Sequence, residues 1–169
     1  RSLMRLSIIV PALDEEATLA GALAALAPLR ADGHEIIVVD GNSSDGTLAL
    51  ARSGADLAFV ASRGRAAQMN AGAARARGNV QRFLHADSRR RGDAVPAIGR
   101  PLGGGARWGR FDVTIHGKPR VLRVVAAAMN ARSRWTGIAT GDQGIFVERD
   151  LFDRVGGYAP IPLMEDAAL

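Results

Sequence analysis

Apolar residues along the chain follow two rhythms. Short runs rich in β-branched residues, Leu6–Val10, Ile36–Val39, Leu57–Val60 and Val80–Leu84, read as buried strands. Pro11 closes the first of them. Between the runs the period changes to a helical one. Leu19, Leu23 and Leu26 recur on one face until Pro28 stops the pattern, with Asp14-Glu15-Glu16 supplying acids to the first turn, where the backbone dipole favours them. Thr47–Arg52 reads as a short helix closed by Gly54, and Ala66–Arg77 as a helix ended by Gly78. Alternating strands and helices at this spacing predict βαβ units: an α/β domain with a mostly parallel central sheet covered by helices. Farther on, Arg89–Gly105 predicts a helix between loops, Ala106–Ile115 a strand and Val121–Ala131 a helix. Ile145–Val147 predicts a strand, and Glu148–Val155 a helix ended by Gly156-Gly157. There is no internal repeat. One domain over residues 1–169 is expected; beginning at Arg1 without an initiator Met and stopping at Leu169, it reads as lacking its C-terminal part.

Composition narrows the class. At 169 residues and 47% apolar content the chain has material for one core, into which Trp108 and Trp135 are expected to pack unless they stack on the face of a ligand. The absence of cysteine excludes disulfides, thiolate metal sites and a cysteine nucleophile. A net charge of +5 suits an anionic partner. A nucleic-acid surface is not expected, because the arginines are scattered and few aromatics accompany them. No apolar run approaches the ~20 residues of a membrane span, and no signal peptide is evident, so a cytoplasmic protein is expected. Val121–Met129, flanked by Lys118, Arg120, Arg123, Arg132, Arg134 and Trp135, fits either a helix packed on the sheet or one in peripheral contact with a membrane.

Ligands of open α/β sheets bind beyond the carboxyl ends of the strands. Three of those ends carry carboxylates: Asp14-Glu15-Glu16 after the first, Asp40 and Asp45 after the second, Asp87 after the fourth. The glycine fingerprint of dinucleotide sites is missing between Gly41 and Gly46, and the one Gly-Lys pair is followed by Pro119, not by Ser or Thr. Without either cradle, a diphosphate would be neutralised by a divalent metal on carboxylates.

These motifs resemble family 2 glycosyltransferases. Ile9-Val10-Pro11-Ala12-Leu13-Asp14-Glu15-Glu16 is similar to that family's opening segment, and Val38–Thr47 to its Val-Asp-x-x-Ser-x-Asp-x-Thr stretch. Phe83-Leu84-His85-Ala86-Asp87-Ser88 sits where the family has Asp-x-Asp. Gly144-Ile145-Phe146-Val147, Gly156-Gly157-Tyr158 and Met164-Glu165-Asp166 resemble its acceptor side. The Leu-His-Ala-Asp and Gly-Asp-Gln-Gly-Ile-Phe variants are similar to a bacterial subgroup of radical-SAM/selenodomain-associated or arsenosugar-type transferases.

The resemblance implies a GT-A fold, a nucleoside-diphosphate sugar as donor, and an acceptor that is a small molecule, a glycan or a lipid-linked group. Asp40 would accept from base or ribose, with Pro11, Leu13 and Glu15 lining the same pocket. Asp87 would hold Mg²⁺ or Mn²⁺. His85, which replaces the first Asp, would contact Mn²⁺ or phosphate, or stand by. Arg65, with Arg63, would reach phosphate; Asp142 and Gln143 would read sugar hydroxyls. Asp166 would act as the general base of an inverting transfer. The residues also admit plainer roles: Asp40 and Asp45 as caps of the turn and the following helix, Glu15 as a first-turn acid favoured by the helix dipole, Glu165-Asp166 as a helix start. The rival functions are a catalytically degenerate nucleotide-sugar binding module and a sugar-phosphate nucleotidyltransferase; the acidic Pro11–Glu16 argues against the latter.

Overall fold

The computed structural model describes residues 4–85, 94–111 and 144–159. Strands β1 (Leu6–Ala12), β2 (Glu35–Asp40), β3 (Leu57–Val60), β4 (Val80–Phe83), β5 (Trp108–Gly109) and β6 (Phe146–Glu148) form one sheet in the order β3-β2-β1-β4-β6-β5. The first four strands run parallel, whereas β6 is antiparallel to both β4 and β5. The helices are α1 (Glu16–Ala31), α2 (Thr47–Gly54), α3 (Arg65–Arg75), α4 (Ala94–Gly103) and α5 (Arg149–Val155). The mostly parallel sheet expected from the alternation is present. The predicted helix Val121–Ala131 lies outside the described residues.

Continuous apolar runs make sense in strands covered on both faces. Ile8 and Val10 of β1, with Ile36 and Val38 of β2, pack against Leu19, Leu23, Leu26 and Leu29 of α1, Ala51 of α2 and Ile98 of α4. On the opposite face Ile9, Ile37, Val39, Phe83 and Val147 meet Ala66, Met69 and Ala73 of α3 and Phe152 of α5.

Three expectations shift. Helix α1 does not stop at Pro28 but runs through it to Ala31, because the apolar spacing continues into Leu29, which is buried. Burying that leucine offsets the hydrogen bond that proline cannot make, and Asp32 N–H still closes on the Pro28 carbonyl at 3.1 Å. Pro11 does not end β1. Ile9 C=O accepts from Leu84 on the β4 side, while Ala12 C=O accepts from Gly41 on the β2 side. Backbone groups alternate sides along a strand, so Pro11 keeps step with Ile9 and faces the β4 side, where β4 has already ended at Phe83. Its missing N–H therefore costs the ladder nothing. The strand predicted over Ala106–Ile115 is, within the described residues, Trp108–Gly109. Trp108 is 45% exposed instead of in the core: Gly109 is the residue that faces the Phe146 ring, so its neighbour must point away.

Helix α3 approaches the sheet closely at Gly72, where a Cβ would lie 2.6 Å from Ile9 Cγ2 and 3.1 Å from Val39 Cγ2. Gly72→Val is expected to cost about 1–3 kcal/mol by overpacking. A lowered urea midpoint at constant slope would show it. An unchanged midpoint would mean that α3 can lift off the sheet without penalty.

Candidate functional site

The chain steps from β1 to β2 and β3 on one side and to β4 on the other. The crevice between the carboxyl ends of β1 and β4 is thus the topological switch point of the sheet. Two loops build its rim, and they hold each other. Glu15 N–H donates to Thr47 Oγ1 at 2.8 Å and Glu16 N–H to Asp45 Oδ2 at 3.1 Å, so residues of the second loop cap the start of α1. In return Gly46 N–H donates to Glu16 Oε2 at 2.9 Å, while Thr47 N–H donates to Asp45 Oδ1 at 3.0 Å at the start of α2. Neither N-cap residue, Glu15 or Gly46, caps its own helix with a side chain. The start of α1 is satisfied by the second loop, whereas α2 draws on both: Gly46 N–H on Glu16, and Thr47 N–H on Asp45 of its own loop.

The bends that permit this are left-handed at Asp14 (φ 53°) and Asn42 (φ 68°), residue types that tolerate the conformation best after glycine. Asp14 Oδ1 accepts from Ser44 N–H at 2.7 Å, and Asp14 N–H donates to Ser43 Oγ at 2.9 Å. Ser43 donates in turn to Asp40, its N–H to Oδ2 at 2.9 Å and its hydroxyl to Oδ1. Asp40 is 1% exposed, and its buried charge is answered inside the loop. Asp45 acts as a cap, and the Thr47 hydroxyl that donates to it holds its carboxyl below the ordinary 3.8.

Against this frame opens a cleft of about 300 Å³, lined by Pro11, Ala12, Leu13, Glu15, Arg63, Gly64, Arg65, Gln68 and His85. It brings together Pro11, Leu13, Glu15, Arg65 and His85 from the positions expected to bind nucleotide sugar. Asp40 is not in its wall. Arg63 and Arg65 are exposed at its mouth, and neither joins an ion pair among the described residues. Glu15 Oε2 accepts from the Thr18 hydroxyl. Asp87, Asp142, Gln143 and Asp166 lie outside the described residues. No group of three potential metal ligands forms among the described ones.

Two contributors escape the sequence reading. Gln68 is 3% exposed, and its Nε2 donates to the carbonyls of Ala12 and Val39, both at 2.8 Å, joining the ends of β1 and β2. Its signal is a polar residue on the inward face of a helix, one turn before Gly72. Asn70 clamps the chain beyond α5: its Nδ2 donates to Tyr158 C=O and its Oδ1 accepts from Tyr158 N–H, both at 2.9 Å. The clamped turn, left-handed at Gly156 (φ 84°) and Gly157 (φ 76°), sets the Tyr158 ring edge-on to Phe83, two residues before His85.

The sequence model of glycosyl transferase family 2 matches residues 7–107. A comparison with curated protein sequences finds no match. Among solved structures, the mannosyltransferase PcManGT from Pyrobaculum calidifontis, in complex with GDP-Man and Mn²⁺, superposes with a TM-score of 0.69 at 21% identity, over 98% of this chain and 50% of its own. TarS 1-349 of S. aureus gives 0.74 at 19% identity, over 97% and 53%. Glucosyl-3-phosphoglycerate synthase from Mycobacterium tuberculosis, in complex with Mn²⁺, UDP and glucosyl-3-phosphoglycerate, gives 0.64 at 22%, over 88% and 58%. The architecture is the GT-A fold, and the chain spans little more than half the length of these structures.

Thr47 is fully buried and serves both loops. Thr47→Val keeps its shape, leaves Glu15 N–H without its acceptor, and is expected to cost about 1–3 kcal/mol. The depressed Asp45 carboxyl contributes stability that is present above 3.8 and lost as pH falls through its lowered value in the folded protein. In the variant Asp45 should titrate at higher pH, and stability should depend less on pH in the acid range. Urea midpoints and a carboxyl NMR titration measure both; an Asp45 titration identical to wild type would contradict the assignment.

Proposed function

Glycosyl transferase family 2 is the family to which this chain belongs, and on that premise we propose that it transfers a sugar from a nucleoside-diphosphate sugar to an acceptor hydroxyl, with inversion at the anomeric carbon and the help of a divalent cation. One observation carries the reading: five residues from three separate segments, Pro11, Leu13, Glu15, Arg65 and His85, line one cleft at the switch point of the sheet.

In this reading the base rests among Pro11, Ala12 and Leu13, and the diphosphate extends toward the guanidinium groups of Arg63 and Arg65. Asp40 supports the pocket from behind, since its carboxylate already holds Ser43 and through it the loop. His85, on the cleft wall, and Asp87, two residues on, would hold the cation, Mg²⁺ or Mn²⁺; imidazole and carboxylate together suit Mn²⁺. When bound, the cation neutralises the diphosphate as it departs. Asp142 and Gln143 would orient the sugar. Asp166 would take the proton from the acceptor hydroxyl as that oxygen attacks the face opposite the diphosphate. The acceptor class remains a small molecule, a glycan or a lipid-linked group. The arsenosugar-type subgroup reading rests on Leu84–Asp87 and Gly141–Phe146 alone. No helix among the described residues is long and apolar enough to cross a membrane, and the proposed peripheral contact through Val121–Met129 falls outside them.

Thermal shift and calorimetry with nucleoside diphosphates, with and without Mn²⁺, test the donor site. A bound ligand should raise the melting temperature by mass action. Asp87→Asn should abolish the Mn²⁺ enhancement, and His85→Ala should weaken it less; an enhancement unchanged in the Asp87 variant would remove that ligand.

Asp166→Asn should leave donor affinity intact while single-turnover transfer falls roughly 10²–10⁴-fold. A capping role predicts near-silence instead, because Asn also caps. Donor binding without transfer by the wild type would favour the binding-module reading.

A further inference from the structure

We propose that His34 is a pH-sensitive latch on the sheet: its neutral imidazole pins the start of β1 to β2, and protonation releases it. This latch lies at the end of the sheet opposite the cleft, so it stands or falls independently of the nucleotide-sugar reading.

Backbone groups of alternate residues face the same neighbour along β1, and Ala12 C=O accepts from Gly41 on the β2 side. Leu6 keeps step with Ala12, so its N–H also points toward β2. The register pairs Ser7 with Glu35, the first residue of β2, so the next carbonyl of the ladder would have to come from the turn before it. That turn is committed elsewhere. Gly33 is left-handed (φ 87°), and the N–H groups of Gly33 and His34 close α1 on the carbonyls of Arg30 and Leu29, both at 3.1 Å. The imidazole fills the gap, its Nδ1 accepting from Leu6 N–H at 3.2 Å. Leu6 is 0% exposed, so water is no ready substitute. An accepting Nδ1 requires the tautomer with its proton on Nε2, whereas an imidazolium donates from both nitrogens and accepts at neither. Protonation therefore sets two N–H groups against each other.

The surroundings favour the neutral ring. Burial holds the imidazole below its ordinary 6.5; Asp32, at the end of α1, opposes this, and Arg5, ahead of β1, reinforces it. Other charges of these elements are engaged, Arg30 with Asp56 at 2.6 Å, and Glu35 with Ser7, Arg77 and Gly78. On its β4 side the strand start is tied by groups that do not titrate near neutrality. There Arg5 N–H donates to Asn79 Oδ1 at 2.8 Å, and Arg5 C=O accepts from Val80 N–H at 3.2 Å. Acid thus unfastens one edge of β1 only. With the folded value below the unfolded one, the latch contributes stability above 6.5 and loses it as pH falls through the lowered folded value.

Amide hydrogen exchange at Leu6, corrected for its intrinsic pH dependence, tests the latch between about pH 7.5 and about pH 5. Protection of Leu6 should fall roughly threefold to tenfold on acidification, the worth of one hydrogen bond, while that of Val80 changes little. Ring ¹⁵N shifts should show the Nε2–H tautomer of His34 at neutral pH. His34→Asn places an acceptor oxygen where Nδ1 was, and no proton claims it in this range, so Leu6 should stay protected throughout. Protection of Leu6 independent of pH in the wild type, or an Nδ1–H tautomer at neutral pH, overturns the proposal. Both of these arms hold even if the variant fails to fold. A Leu6 amide in His34→Asn that follows the wild-type pH dependence overturns it as well. Equal loss at Val80 would mean that other titrating groups loosen the whole sheet end, and overturns it too.

Discussion

Two helix starts that share acceptors across their loops are the constraint on which the site depends. Backbone N–H groups at the first turn of a helix need acceptors. In this fold α1 finds them on the second loop, at Asp45 and Thr47, while α2 is capped by Asp45 of its own loop and tied to the first through Gly46 N–H and Glu16. The second loop cannot move alone without stranding the start of α1, and the first cannot without releasing Gly46 N–H. The wall from Pro11 to Glu15 inherits its position from this exchange. So does Asp40, whose contact with Ser43 is continued to Asp14. Acids near a helix start are commonplace; their reciprocity fixes the distance between two strand ends.

Opposite that wall the constraint is packing. Helix α3 sits close on the sheet because Gly72 admits it, and closeness lets Gln68 reach two strand-end carbonyls at once. Two residues farther along the same helix, Asn70 pairs with both backbone groups of Tyr158. One helix thereby lines the cleft and anchors the chain that leads toward Glu165-Asp166.

Much of this was legible from residue order. β-branched runs ending in acids located the parallel strands and their carboxyl edge, and Leu57–Val60 coincides with its strand residue for residue. Turn chemistry located the two loops. What escaped depended on contacts between distant segments. Pro28 looks like a stop because local propensity opposes it, yet the burial of Leu29 is decided by the sheet beneath. Trp108 looks like core because of its size, yet Gly109 is the residue turned toward Phe146. Gln68 looks like one more polar helix residue until both carbonyls above it are known. Asp40 reads correctly as a buried carboxylate needing donors; only the fold shows that Ser43 provides them.

Pro11 carries a consequence beyond its tolerated place in β1. An open strand edge is a template on which any extended chain can zip, whether a neighbour's segment or a misregistered piece of the same protein. At the parting of β1 from β4 the backbone would present such a template, were it not for a proline where the next donor should be. A stray strand arriving there finds a carbonyl ladder with its rung missing. One donor fewer makes that short reach of β1 a poorer template for a pairing strand.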